Sequence, residues 1–251
     1  PSIHECSITD DYVIVFDLPV TISLPTFAQG YNFPYRWNKA HPARVGLLPR
    51  RGDVDEIIWC DVDPCYVFHV ANSFQNDDGS VTIDCCAYES MFAHGPDGPN
   101  GVPCGFERWR VDPKTRKVTR TVIDRSPQEF PRVDERRFGQ SYRHAWIVSQ
   151  PSEAVSNFVA ENALYHHDLE TGEKRSYTFG PDLVGGEFVF IPRAPDAEEA
   201  DGWLMGLVID AKKDTTQLQV FKPLDIGQGP VGAVHIPHRI PPGFHGNWIP
   251  D

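Results

Sequence analysis

Short runs of β-branched and aromatic residues alternate with clusters of turn residues along the whole chain, and helical periodicity is nearly absent. Strands are predicted at 12–17 (YVIVFD), 56–62 (EIIWCDV), 65–71 (CYVFHVA) and 80–89 (SVTIDCCAYE). Others follow at 106–112, 117–124, 142–150, 162–169, 202–210 and 217–222. Several connections read as hairpins. In NDDGS, Gly79 supplies a positive φ, and DPKTRK and DLETGEKRS have the length of four- to five-residue loops. So many strands in series predict an all-β fold of antiparallel meanders. Four strands recur about every 45–50 residues, the length of a β-propeller blade, although no strict repeat survives. The Pro-rich stretch 93–105 reads as a long loop with strands on both sides, either a lid or inert surface.

Composition narrows the function. The chain has 251 residues, 40% of them hydrophobic, enough for one large domain spanning 1–251. The net charge of −12 argues against a nucleic-acid partner, since phosphate binding needs a basic footprint. No apolar run approaches the length of a membrane span, and the N-terminus is not signal-like. The chain opens without Met and enters a strand almost at once, so it reads as a piece of a longer protein. Six cysteines without a CxxC spacing predict reduced, mostly buried thiols and a cytoplasmic location.

The candidate chemistry lies in the ten histidines, none in HxH or HExxH spacing. His144, His166 and His167 fall in strands, where a histidine is most often a hydrogen-bonded core or surface residue; His41 and His94 sit among loop residues. Three differ by context. His4 opens the first strand region. His69 lies inside an apolar strand, where alternation puts it on one face with Cys65, Val67 and Ala71 and opposite Tyr66, Phe68 and Val70. His245 sits between Gly243 and Gly246, which supply backbone freedom and close approach, suited to a tight turn or to a histidine held against a metal.

Four segments, in order, resemble the carotenoid cleavage oxygenase family, which includes apocarotenoid and stilbene cleaving dioxygenases. They are IHECSITDDYVIVFDLPV, RVGLLPRRGDVDEIIWCDVDPCYVFHVANSFQ, QEFPRVDERRFGQSYRHAW, and GEFVFIPR with the closing IPHRIPPGFHGNWIPD. The resemblance runs from the first residue to the last and is to the C-terminal half of the family. It implies a seven-bladed β-propeller of which this chain supplies about four blades, with the N-terminal half as its partner. It also implies an Fe(II) held on the axis by four histidines. His4, His69 and His245 match the second, third and fourth, and the first lies upstream. Glu129 and Glu187 match two of the glutamates that hydrogen-bond ligating histidines in the family, and are expected to serve His69 and His245 respectively. Trp248 and Ile249 are expected to pack the C-terminus in place. Two departures stand out: Glu5 where the family often has Asp, and Gln75 where Glu is common.

The implied function is Fe(II)-dependent cleavage of a carbon–carbon double bond in an apolar polyene or stilbene by O2, giving two carbonyl products. Peripheral membrane contact at an apolar entrance is left open. Two other readings stand beside it: a non-catalytic propeller fragment that binds or folds with a partner, and an isomerase using the same ligands.

Overall fold

The computed structural model describes residues 1–95, 98–150 and 162–249. The chain divides into two compact units. The first is built on Pro1–Pro127 with Phe138–Ser141, and the second on Gln128–Arg137 and most of the chain after Tyr142.

In the first unit the strands are β1 (Cys6–Ile8), β2 (Tyr12–Asp17), β3 (Val20–Ile22), β4 (Tyr35–Trp37), β5 (Arg44–Pro49) and β6 (Ile58–Asp61). They are followed by β7 (Tyr66–Gln75), β8 (Val81–Ser90), β9 (Val102–Asp112) and β10 (Lys117–Asp124). The sheet order is β1-β2-β5-β6-β10-β9-β8-β7. All neighbours are antiparallel except β6 and β10, which share one parallel pair, Lys117 with Asp61. The sheet is therefore two four-stranded meanders joined by a single bridge. β3 and β4 form a separate hairpin enclosing a short helix, α1 (Leu24–Ala28). That helix is absent from the hydrophobic pattern but signalled by its cap: Ser23 Oγ accepts the Thr26 N–H, and Pro25 sits in the first turn.

One core joins the two meanders. Ile14, Phe16, Val45 and Leu47 from one pack with Val81, Ile83, Trp109 and Val111 from the other. β8 is buried on both faces over most of its length. Its one charged residue on the second face, Asp84, is paired across the sheet with Arg108 through two bonds of 2.8 and 2.7 Å. A buried carboxylate requires such a partner. The expected hairpin at NDDGS is present, with Gly79 at φ +85°. Of the loop expected at 93–105, residues 96 and 97 lie outside the described residues, and β9 already begins at Val102.

The second unit holds two further four-stranded antiparallel meanders. One is β11 (Gln128–Val133), β12 (His144–Ser149), β13 (Ala163–Asp168) and β14 (Lys174–Thr178). The other is β15 (Leu183–Pro192), β16 (Gly202–Asp210), β17 (Thr215–Phe221) and β18 (Gly232–Ile236). Their shared core is aromatic: Trp146 stacks on Phe190 at 5.3 Å, and Phe179 on Phe188 at 5.8 Å. β11 and β15 were not apparent as strands from alternation. Pro131 and the pair Gly185–Gly186 interrupt the period, and both strands are kinked there.

Candidate metal centre

Every strand that carries a candidate site residue is irregular at that residue. β7 pairs Val67 with Ala87, Val70 with Cys85 and Asn72 with Asp84, so β7 takes five steps where β8 takes three. Two extra residues are thus accommodated around His69. Val67 and Val70 both enter the core although they lie three apart, which strict alternation forbids. The expected sharing of a face by His69, Cys65, Val67 and Ala71 is therefore corrected: the bulges break the period and leave His69 half-buried, outside the core cluster.

His4, exposed just before β1, meets this distortion. Its Nδ1 lies 3.0 Å from the Phe68 carbonyl oxygen. Its ring stands edge-on to His69, with centroids 5.1 Å apart. A carbonyl only accepts, so Nδ1 carries the proton and the neutral ring's lone pair is on Nε2. The next residue, Glu5, accepts the Val70 N–H through Oε2 at 2.6 Å. Further along β7, buried Asn72 accepts the Gly139 N–H at 3.1 Å and donates to the Gln140 carbonyl at 3.0 Å. Gln75 exchanges two bonds of 2.9 Å with Asp11, at the turn between β1 and β2. Both amides tie the outer edge of β7 to other segments.

The second unit has the corresponding devices. β11 takes three steps from Glu129 to Arg132 while β12 takes two, and Phe130 in that bulge has φ +57°. Glu129 is buried, and its Oε2 accepts the Phe130 N–H at 2.8 Å. β15 has one extra residue between Gly185 and Phe188, the interval that contains Glu187. The Glu187 side chain is 5% exposed, and it accepts from His245 Nδ1 at 3.1 Å and from the Gly246 N–H at 3.0 Å. Arg132 Nη1 lies 3.4 Å from the same carboxylate, and Arg132 Nη2 reaches Asn247 Oδ1 at 3.4 Å. Phe130 stands edge-on to the His245 ring at 5.8 Å. A cavity of about 260 Å³ with mostly apolar walls, among them Phe130, Leu207, Leu218 and Phe244, reaches Glu187 and His245.

Two expectations about the C-terminus are corrected. Neither Gly243 nor Gly246 has a positive φ, and a Cβ at either would meet nothing within 4 Å in this unit. His245 is held by the carboxylate of Glu187 rather than by glycine freedom. Trp248 and Ile249 are 47% and 84% exposed, so packing against the described residues does not pin the tail. Of the other histidines, His166 Nε2 lies 3.0 Å from His144 Nδ1 in the core, and His167 bonds to Gln128 at 2.8 Å; these are core histidines.

The candidate site residues thus fall in two groups, the ligands His4 and His69 in the first unit, and the ligand His245 with the supporting Glu187 and Glu129 in the second. No cluster of three or more His, Cys, Asp or Glu side chains suited to a metal is present among the described residues. The donor chemistry fits a ferrous ion all the same. In His4 and His245 alike, Nδ1–H can donate to an acceptor, which in the neutral ring leaves the lone pair on Nε2, as a ligating imidazole requires. Arg132 and Asn72 were missed as supporting residues. Their signals were the spacings E-F-P-R and H-x-x-N, legible only through the resemblance.

Residues 1–250 match the family model described as retinal pigment epithelial membrane protein. The chain belongs to the carotenoid cleavage oxygenase family. A carotenoid cleavage oxygenase of Mycobacterium tuberculosis is 32% identical over 294 residues, covering 100% of this chain and 58% of the relative. An apocarotenoid-15,15'-oxygenase of Synechocystis is 29% identical over 98% of this chain and 51% of its own length. Among solved structures, cobalt-substituted Synechocystis ACO superposes with a TM-score of 0.86 at 28% identity, over 99% of this chain and 53% of that one. The lignostilbene dioxygenase of Pseudomonas brassicacearum gives 0.87 at 27% identity, over 100% and 55%. The chain therefore spans about half the length of the relatives it matches.

Proposed function

We propose that the protein carrying this chain is a non-heme Fe(II) dioxygenase that cleaves a carbon–carbon double bond of a carotenoid, apocarotenoid or stilbene. One O2 and one alkene give two carbonyl compounds, so the atoms balance without a further reductant. The observation that carries the proposal is the preparation of His4 and His245, each with Nδ1 committed to an acceptor and Nε2 turned into the donor. His4, His69 and His245 would each give an imidazole to the ion, with a fourth histidine from the segment that completes the protein. The bound iron supplies the centre at which O2 is activated. Glu187 orients His245 and holds the tail at Gly246, and Arg132 balances the charge of Glu187. Glu129 is the candidate for the same role toward His69. The names of the relatives, a cobalt-substituted neighbour among them, support the reading.

The same proposal gives the four meanders as four blades of a seven-bladed propeller, each contributing its first strand, β1, β7, β11 or β15, to the axis. The apolar lining beside His245 suits a polyene or stilbene better than a polar substrate. A cytoplasmic location, with any membrane contact peripheral, accords with six free cysteines, four of them buried. No described helix is long and apolar enough to cross a membrane.

The test is to purify the intact protein, measure bound iron, and supply an apocarotenal and a stilbene under O2. About one iron per chain, and two carbonyl products labelled from 18O2, are expected. His69→Ala and His245→Ala should each lose iron and turnover. Full iron content in either variant would remove that residue from the ligand set. Isomerised substrate without cleavage would replace the oxygenase reading by the isomerase.

A further inference from the structure

Two consecutive residues grip the peptide groups on either side of His69. His4 Nδ1 donates to the carbonyl of Phe68, the residue before it, at 3.0 Å. Glu5 Oε2 accepts the N–H of Val70, the residue after it, at 2.6 Å. This happens inside the bulged part of β7, where the ladder with β8 skips from Val67 to Val70. Among the described residues β7 is also the last strand in the sheet order, and its outer bridge, Phe74 with Gly139, lies four residues beyond Val70, so no ladder fixes its outer backbone at the bulge. The segment that leads into β1 supplies side chains in place of a ladder.

A carboxylate on an edge N–H is common, and by itself it would only satisfy a donor. Here the N–H belongs to the neighbour of His69, and the residue preceding the carboxylate is itself a histidine edge-on to His69 at 5.1 Å. The two ring positions are therefore not independent. A shift of Glu5 moves Val70 against the ring of His69, and at the same time the chain that carries His4.

We infer that Glu5 is a positioning residue for the His4–His69 pair, its carboxylate oxygen fixing the β7 bulge so that both imidazoles are offered to one metal ion. The inference rests on the ferrous reading above. It assigns to Glu5 a task that needs an accepting oxygen at this reach. At Val70 the donor is a neutral amide, so this bond asks for an accepting oxygen and not for a charge.

The two requirements separate Glu5→Ala from Glu5→Gln. The amide oxygen of Gln, at the same distance along the side chain, still accepts the Val70 N–H, whereas Ala removes the acceptor. Cobalt(II) is titrated into the intact apoprotein and followed by its visible absorption, at a temperature where every variant is folded by circular dichroism. Amide exchange at Val70 is measured in parallel. Glu5→Ala is expected to weaken cobalt binding ~10–100-fold, the usual cost of losing a group that orients a ligand, and to speed exchange at Val70. Glu5→Gln should stay within about threefold of the parent, since it keeps the acceptor. A structural role alone would lower the melting temperature of Glu5→Ala and leave the cobalt spectrum and affinity of the folded protein unchanged; that result overturns the inference. Equal losses in Glu5→Ala and Glu5→Gln would assign the effect to charge and overturn it too. His69→Ala separates the inference from its premise: if that variant binds cobalt like the parent, the metal reading itself has failed. If His69→Ala loses cobalt and Glu5→Ala does not, only the role of Glu5 has.

Discussion

The carboxylate of Glu187 accepts from His245 Nδ1 at 3.1 Å while sitting almost wholly out of water, and with its second oxygen it accepts the N–H of the next residue, Gly246. One side chain on a strand therefore fixes both the ring of His245 and the backbone of the tail that carries it. Glu187→Gln has one oxygen for two donors, and it turns an NH2 toward either the imidazole N–H or the tail. The expected outcome is iron affinity weakened ~10–100-fold, with secondary structure unchanged. Iron titration by competition with a chelator checks it, and parental affinity would remove Glu187 from the site.

Acid should unfold the second unit in two stages. Burial, and then the nearby charge of His144 and Arg175, hold His166 down at about 4. Below its unfolded value near 6.5 the unfolded chain binds the proton and the native state does not, so stability falls from about pH 6.5 to about pH 4. The expected loss is about 3 kcal/mol for this group. Asp168 acts in a lower window. Two bonds from Arg143, at 2.9 and 2.7 Å, hold its carboxyl far below the usual range. Its contribution is present above the unfolded carboxyl value and is lost as pH falls below about 4. Urea unfolding followed by circular dichroism as a function of pH reads both stages. His166→Gln should flatten the curve between about pH 4 and 6.5 and leave the lower stage in place. An unchanged slope in the upper window would show that His166 is not the group responsible.

The cysteines should divide by burial. Cys6 is exposed, whereas Cys60, Cys65, Cys85 and Cys86 are buried. Desolvation pushes Cys60 up to about 11 and Cys65 up to about 12, leaving almost no thiolate at neutral pH. With a maleimide at pH 7.5, Cys6 should be modified first, and the four buried thiols only on unfolding. Peptide mapping after timed labelling checks this. Early labelling of Cys65 would mean that the core of the first unit opens readily.

Much of the architecture was legible because strands of regular period dominate it. β2, β10, β16 and β17 follow alternation, and the hairpin at Gly79 follows from its turn residues. What escaped was the local irregularity on which the site is built. Glu129, Glu187 and His69 lie in bulges, and a bulge is defined by the partner strand's register, which no local window contains. For the same reason alternation misplaced His69. The tail shows the converse. Gly243 and Gly246 drew attention as flexible residues around His245, yet the restraint comes from Glu187, 58 positions earlier in the chain. A long-range bond of that kind leaves no pattern near the histidine. Only the resemblance to a family placed the two residues in one function.

The 251-residue chain expressed alone should not be an enzyme. It spans 58% of one relative and 51% of another, and three histidines are one short of the four implied by the family. Its surface also carries large apolar side chains, including Leu24, Phe27, Val234 and Phe244, all more than half exposed. Apolar exposure on that scale favours association with other chains. The expected behaviour is weak iron binding, no cleavage of an apocarotenal or a stilbene under reducing conditions with Fe(II), and a concentration-dependent increase in size by light scattering. Supplying the remaining half, fused or as a separate chain, should restore both iron binding and turnover and reduce the association. Cleavage by the isolated chain at rates near those of the intact protein would falsify the requirement for a fourth histidine from outside it. Restored iron binding without turnover would place the missing contribution in the substrate channel and not at the metal.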